Sequence, residues 1–113
     1  MKDELDLSDP IATRTFALAD GEEVRVAIGR PFEPDRYPGE YWCPYRIEGL
    51  GKDRVHRTIG VDSMQALTLT LELVGTLLYD SDEAKDGRLT WNGDLDLGLP
   101  VLPSFRDLLP RSD

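Results

Sequence analysis

The segment DSMQALTLTLELVGTLLYD, residues 62–80, constrains the fold more than any other stretch of this chain. Asp62 can cap the start of a helix, Gln65 three residues later completes a capping box, and Val61 can staple against Ala66. The pattern predicts a helix from Ser63 to about Tyr79. At 100° per residue, Met64, Leu67, Leu71, Val74 and Leu78 form one apolar stripe, and Ala66, Leu69, Leu73 and Leu77 form a second beside it. Together the stripes span about 220° of the circumference, whereas a one-sided surface helix needs about 100°. Only Gln65, Thr68, Glu72, Gly75 and Thr76 remain for water. A sheet covers one stripe, so the other (Ala66, Leu69, Leu73 and Leu77) is a candidate interface for the C-terminal segment or for a second subunit.

Strands supply that sheet. TRTFALA and EVRVAIGR flank the turn residues Asp20 and Gly21. A two-residue turn would put Phe16 and Leu18 on the opposite face from Val24, Val26 and Ile28. A three-residue loop, with Gly21 left-handed, puts all five on one face and is therefore expected. PFEPDRYPGE carries three prolines and reads as a loop. A second hairpin runs from about Tyr41 to Glu48, turns through GLGKD, and returns from Arg54 to Val61. The register that unites its apolar residues pairs Ile47 with Val55 and Cys43 with Ile59. In that register Arg57 falls on the apolar side, where only a margin position would let its head reach water. Further on, DSDEAKDG suggests a short helical turn capped by Asp80 or Ser81 and RLTW a strand. NG is a turn, and Leu95, Leu97, Leu99, Val101 and Leu102 are available to cover the second helical stripe.

These elements make an α+β fold. An antiparallel sheet of about four strands, in two consecutive hairpins, carries one long helix on one face, with a short C-terminal strand and an extended segment closing the edge. At 113 residues the chain has room for one core, burying roughly 65% of its unfolded surface. The expected organisation is an acidic, flexible arm over residues 1–11, a single domain over 12–104 and a tail over 105–113.

Charge narrows the function classes. The net charge of −9 opposes nucleic-acid binding. No apolar run approaches the ~20 residues that span a bilayer, and the N-terminus lacks the pattern of a signal peptide. A single cysteine calls for no oxidising compartment, so a cytoplasmic location is expected. The charge is uneven, however. Residues 41–61 carry Arg46, Lys52, Arg54 and Arg57 against only Glu48 and Asp53, a basic island in an acidic chain.

The lone cysteine and lone histidine raise the question of a catalytic pair. In the expected register Cys43 faces the core and His56 faces away, so no thiol–imidazole pair forms and no catalytic residue is assigned. Asn92, Asp94 and Asp96, followed by Gly98, have the alternation of a calcium loop, but the twelfth position is Pro103 instead of a bidentate Glu, so no metal and no cofactor are expected. The outer face of the second hairpin would group Trp42, Arg46, Arg54 and His56, with Arg25 joining if the second strand lies alongside. Such a group suits an anionic ligand or acidic partner. The simpler reading is a solvated face on which Glu48 pairs with Arg54.

ADGEEVRVAIGRPF, CPYRIEGL, GVDSMQALTLTLELVG and GRLTWNGDLDLGLP together resemble a family of small bacterial proteins known only as a domain of unknown function. The resemblance implies a single α+β domain and a bacterial source, and it brings no catalytic residues. Two functions are therefore weighed. The first is a non-enzymatic protein-interaction module, inhibitor- or immunity-like or self-associating, that meets a protein partner or forms a homodimer. The alternative is a small anionic-ligand-binding protein or enzyme using the Trp42, Arg46, Arg54, His56 and Arg25 face.

Overall fold

In the computed structural model, which describes residues 4–51 and 53–110, Phe16 stands opposite Val24 across the first hairpin. Strand β1 (Ala12–Leu18) meets β2 (Glu23–Ile28) through a hairpin whose last pair is Leu18 with Glu22, which leaves the three residues 19–21 as the loop. The Leu18 amide donates to the Glu22 carbonyl at 2.9 Å, and the Gly21 amide donates to the Leu18 carbonyl at 3.0 Å. Gly21 takes φ +92°, a conformation an L side chain would strain. The loop thus has the expected length, and it fixes the register that buries Phe16, Val24, Val26 and Ile28 together.

β3 (Tyr41–Glu48) lies antiparallel to β2, with Ile47 opposite Val26 and Tyr45 opposite Ile28. β4 (His56–Gly60) pairs with β3 one residue away from the expected register: Cys43 faces Thr58, and Ile59 faces Trp42. A slip of one residue exchanges every side chain between the two faces. Ile59, Val61 and Arg57 therefore lie outside, and His56, Thr58 and Gly60 lie toward the helix. The helix explains the choice. A Cβ on Gly60 would come within 2.5 Å of the Ala66 amide nitrogen, so this residue must turn its bare face to the first helical turn. Thr58 meets Thr70 of the helix, hydroxyl to hydroxyl at 2.5 Å, and both hydroxyls lie within bonding distance of the Ala66 carbonyl.

α1 (Ser63–Tyr79) starts with the expected capping box: Asp62 accepts from the Gln65 amide, and Gln65 accepts from the Val61 amide, each at 2.7 Å. The helix is covered on two sides. Ala66, Thr70 and Val74 are buried, and so are Gly75 and Thr76, which correct the expectation of a wet side there. A Cβ on Gly75 would overlap the Pro100 carbonyl, and Thr76 Oγ1 accepts from the Leu102 amide at 2.9 Å, so the extended C-terminal segment lies directly on this face. Leu97 and Val101 of that segment are buried. Met64, placed by periodicity in the first stripe, is instead 78% exposed.

The remaining elements complete the edge. α2 (Asp82–Lys85) is capped by Ser81, and β5 (Leu89–Thr90) pairs with β1. Asn92 and Gly93 both take positive φ, the type I′ geometry that suits an NG hairpin turn. The sheet thus has five strands in the order β4-β3-β2-β1-β5, slightly more than expected, with α1 on one face. Residues 103–108 form a 3-10 helix whose Leu108 packs against the core. Among the described residues no helix is long and apolar enough to cross a membrane.

Candidate functional site

Because β4 is shifted, Cys43 and His56 share the helix-facing side of the sheet, which corrects the expectation that they point apart. They nevertheless bond to other groups. The Cys43 thiol donates to the Gly29 carbonyl at 3.5 Å. Burial raises its pKa above the ordinary thiol value, and the Thr70 hydroxyl beside it only partly opposes that effect. Such a thiol stays protonated near neutral pH and is a poor nucleophile. The His56 ring stacks on Tyr45, its cross-strand partner, with centroids 5.7 Å apart.

The proposed outer-face group is likewise divided. Arg25, Trp42 and Arg46 do share the outer face, since β2 lies alongside β3. Arg54 is exposed but precedes β4, outside any strand, and His56 is on the other side of the sheet. Arg46 bonds Glu48 at 2.8 Å, replacing the expected Glu48–Arg54 pair, and its Nε is buried without a hydrogen-bond partner. Arg25 bonds Glu23 at 2.9 Å on the exposed surface.

Trp42 is only 5% exposed although it points outward. The proline-rich loop folds over it. Tyr37 lies 5.3 Å from its ring, Phe32 meets it edge-on at 6.1 Å, and its indole N–H donates to Glu40 at 3.0 Å. The Arg57 guanidinium covers the ring at 4.1 Å, and the shifted register resolves the awkward parity of that residue by turning it to the outer face. A second clasp holds the far edge, where Arg14 stacks on Trp91 at 3.9 Å and donates to the Leu97 carbonyl at 3.1 Å.

Two of the surface hollows adjoin the candidate residues Arg25 and His56. One, of about 520 Å³, includes Arg25 but is walled by Glu22, Glu23, Glu48 and Asp53. The other, of about 550 Å³, is lined by Tyr45, His56 and Leu77 together with Asp80, Asp82 and Glu83. Carboxylate walls of this kind repel anions. Among the described residues no three His, Cys, Asp or Glu side chains converge in a way that could hold a metal ion.

The family model described as domain of unknown function (DUF6968) matches residues 12–101. The chain belongs to that family. No curated protein and no solved structure matches it. The matched span of this DUF6968 chain begins with the first residue of β1 and ends at Val101, so it takes in the five strands, both α-helices and the segment seated on Gly75, and stops short of the 3-10 helix.

What remains exposed on this DUF6968 domain is not the predicted helical stripe. Ala66 is buried, Leu69 and Leu73 are half-buried, and only Leu77 at 43% retains substantial exposure. Where β4 passes into α1, Ile59 is 45% exposed, Val61 73% and Met64 78%, the last two the most exposed large apolar side chains among the described residues; elsewhere Leu95 is 54% exposed. Sequence parity assigned the first two to the core. The signal that would have corrected it is Gly60, which immediately precedes the helix-start motif and needs the inner face.

Proposed function

We propose that this chain is a non-enzymatic protein-interaction module that docks through the corner formed by β4 and the first turn of α1. The observation that carries this reading is the exposure of Ile59, Val61 and Met64 within six residues of chain. A compact domain of this size gains stability by covering such side chains, and exposed apolar groups clustered in this way characterise interaction surfaces. The groups best suited to chemistry are occupied elsewhere: Cys43 is buried and protonated, and Arg46 is paired with Glu48. The alternative, an anionic-ligand site, has less support, because its residues are divided between two faces and the hollow beside Arg25 is acidic.

The test compares the wild-type chain with a Val61→Glu/Met64→Glu variant as immobilised bait in extract of the producing organism, beside light scattering of the free protein. The expected result is a near-stoichiometric protein, or a second copy, bound by the wild type and lost by the variant. A monomer from which both baits recover the same proteins would refute the proposal.

A further inference from the structure

β4 is the terminal strand on its side of the sheet, and its outer edge has no strand partner among the described residues. In an antiparallel ladder, alternate residues aim their amide and carbonyl to opposite sides. Trp42 exchanges both backbone bonds with Phe32, at 2.8 and 2.9 Å, so its backbone groups turn away from β4. The ladder to β4 therefore runs through Tyr41, Cys43 and Tyr45, opposite Gly60, Thr58 and His56. By the same alternation Arg57 and Ile59 direct their amides and carbonyls to the open edge. The Val61 amide, next in that series, is already taken by Gln65.

Charge along this edge is graded. Arg54 and Arg57 stand at its start and form no ion pair among the described residues, the Arg57 guanidinium resting on Trp42, and Asp62, the cap of α1, stands at its end. At physiological salt, charges more than about 8 Å away are largely screened, so these local groups outweigh the remote acids of the chain. The geometry points to β4 taking up an extended segment of a partner protein as a sixth, antiparallel strand. Read along that segment, two apolar residues at alternate positions face Val61 and Ile59, and a carboxylate two residues later faces Arg57. This inference rests on the interaction-module reading and specifies how the partner binds. Backbone bonds supply the attachment, and the alternate side chains supply the selectivity.

The test uses a capped synthetic peptide with the core Val-Thr-Val-Thr-Glu and a counterpart ending in Lys. The Glu peptide is expected to slow amide exchange at Arg57 and Ile59 and to bind about fivefold more tightly than the Lys peptide, the size of one exposed charge reversal across a strand pair. Ile59→Pro removes only an outward-facing amide, so its melting curve is expected to show a folded protein, with binding lost. Arg57→Glu is expected to invert the peptide preference. No binding at millimolar peptide, equal affinity for both peptides, or a folded Ile59→Pro protein that binds undiminished would overturn strand addition. Exchange protection of both amides in the protein alone, rising with its concentration, would assign the edge to a second copy and equally overturn it. If strand addition fails while a partner is still lost on Val61→Glu/Met64→Glu substitution, the docking corner stands without it.

Discussion

Replacing Gly75 by alanine separates local propensity from tertiary contact, because the two predict opposite signs. In a solvent-facing helix the change is worth up to about 1 kcal/mol of added stability. Here the new methyl would overlap the Pro100 carbonyl oxygen and lie 3.0 Å from the Pro100 carbonyl carbon and 3.1 Å from Leu99 Cβ. Restoring van der Waals separation needs a displacement on the order of 1.5 Å. A backbone carbonyl cannot rotate out of the way as a flexible side chain can, so the whole segment must lift. Lifting it strains or breaks the Leu102–Thr76 hydrogen bond, worth about 1 kcal/mol net. It also loosens Leu97 and Val101, whose complete exposure would cost about 1.5–3 kcal/mol each. With partial loosening and the propensity gain subtracted, the net loss is about 2–4 kcal/mol, or roughly 8–16 °C in melting temperature for a domain of this size. Thermal and urea unfolding followed by circular dichroism measure it, with Thr68→Ala on the exposed face as a control expected to gain at most about 0.7 kcal/mol from helix propensity alone. A Gly75→Ala protein as stable as the wild type, or more stable, would refute the close seating of the C-terminal segment on α1.

Three further outcomes are expected. Tyr79→Phe removes a hydroxyl that donates to Asp96 at 3.1 Å and accepts from the Leu97 amide at 2.8 Å; the buried amide left without a partner should cost about 1–3 kcal/mol in urea unfolding. Trp42→Ala should cost about 3 kcal/mol or more, because the indole is enclosed by Phe32, Tyr37 and Arg57; a change below about 0.5 kcal/mol would mean that it is a surface residue after all. Burial raises the pKa values of Cys43, Tyr45 and Tyr79, so the folded state holds these three protons more tightly than the unfolded chain. Their contribution is fully present below about pH 8.5 and is lost as pH rises through the raised values, with each group lowering stability by at most about 1.4 kcal/mol per pH unit. Urea midpoints from pH 7 to alkaline pH check this, and reaction of the Cys43 thiol with an aromatic disulfide should be about a hundredfold slower in the native protein than in urea.

How far each part of the fold could be read depended on how local its cause is. The capped helix over 63–79, the three-residue loop at Gly21, the short helical turn capped at Asp80 or Ser81 and the NG turn each follow from residues within a few positions of one another, and each has the expected form, with Ser81 as the cap. The β3–β4 register does not follow from its neighbours. Residues 49–55 separate the two strands, too many for turn chemistry to fix their pairing, and apolar parity alone favours the register with Ile59 opposite Cys43. The helix decides otherwise, through the contacts of Gly60 with Ala66 and of Thr58 with Thr70. The same one-residue shift moves the candidate site: His56 turns inward, while Ile59 and Val61 turn outward to an open edge.

By itself, then, the sequence determined the α+β class, the long doubly greasy helix and the turn-defined first hairpin, because short-range patterning, sterics and capping set all of these. Only the tertiary structure decided which faces of β4 and α1 meet water. That choice came from contacts between residues six or more positions apart, which strand parity by itself does not register.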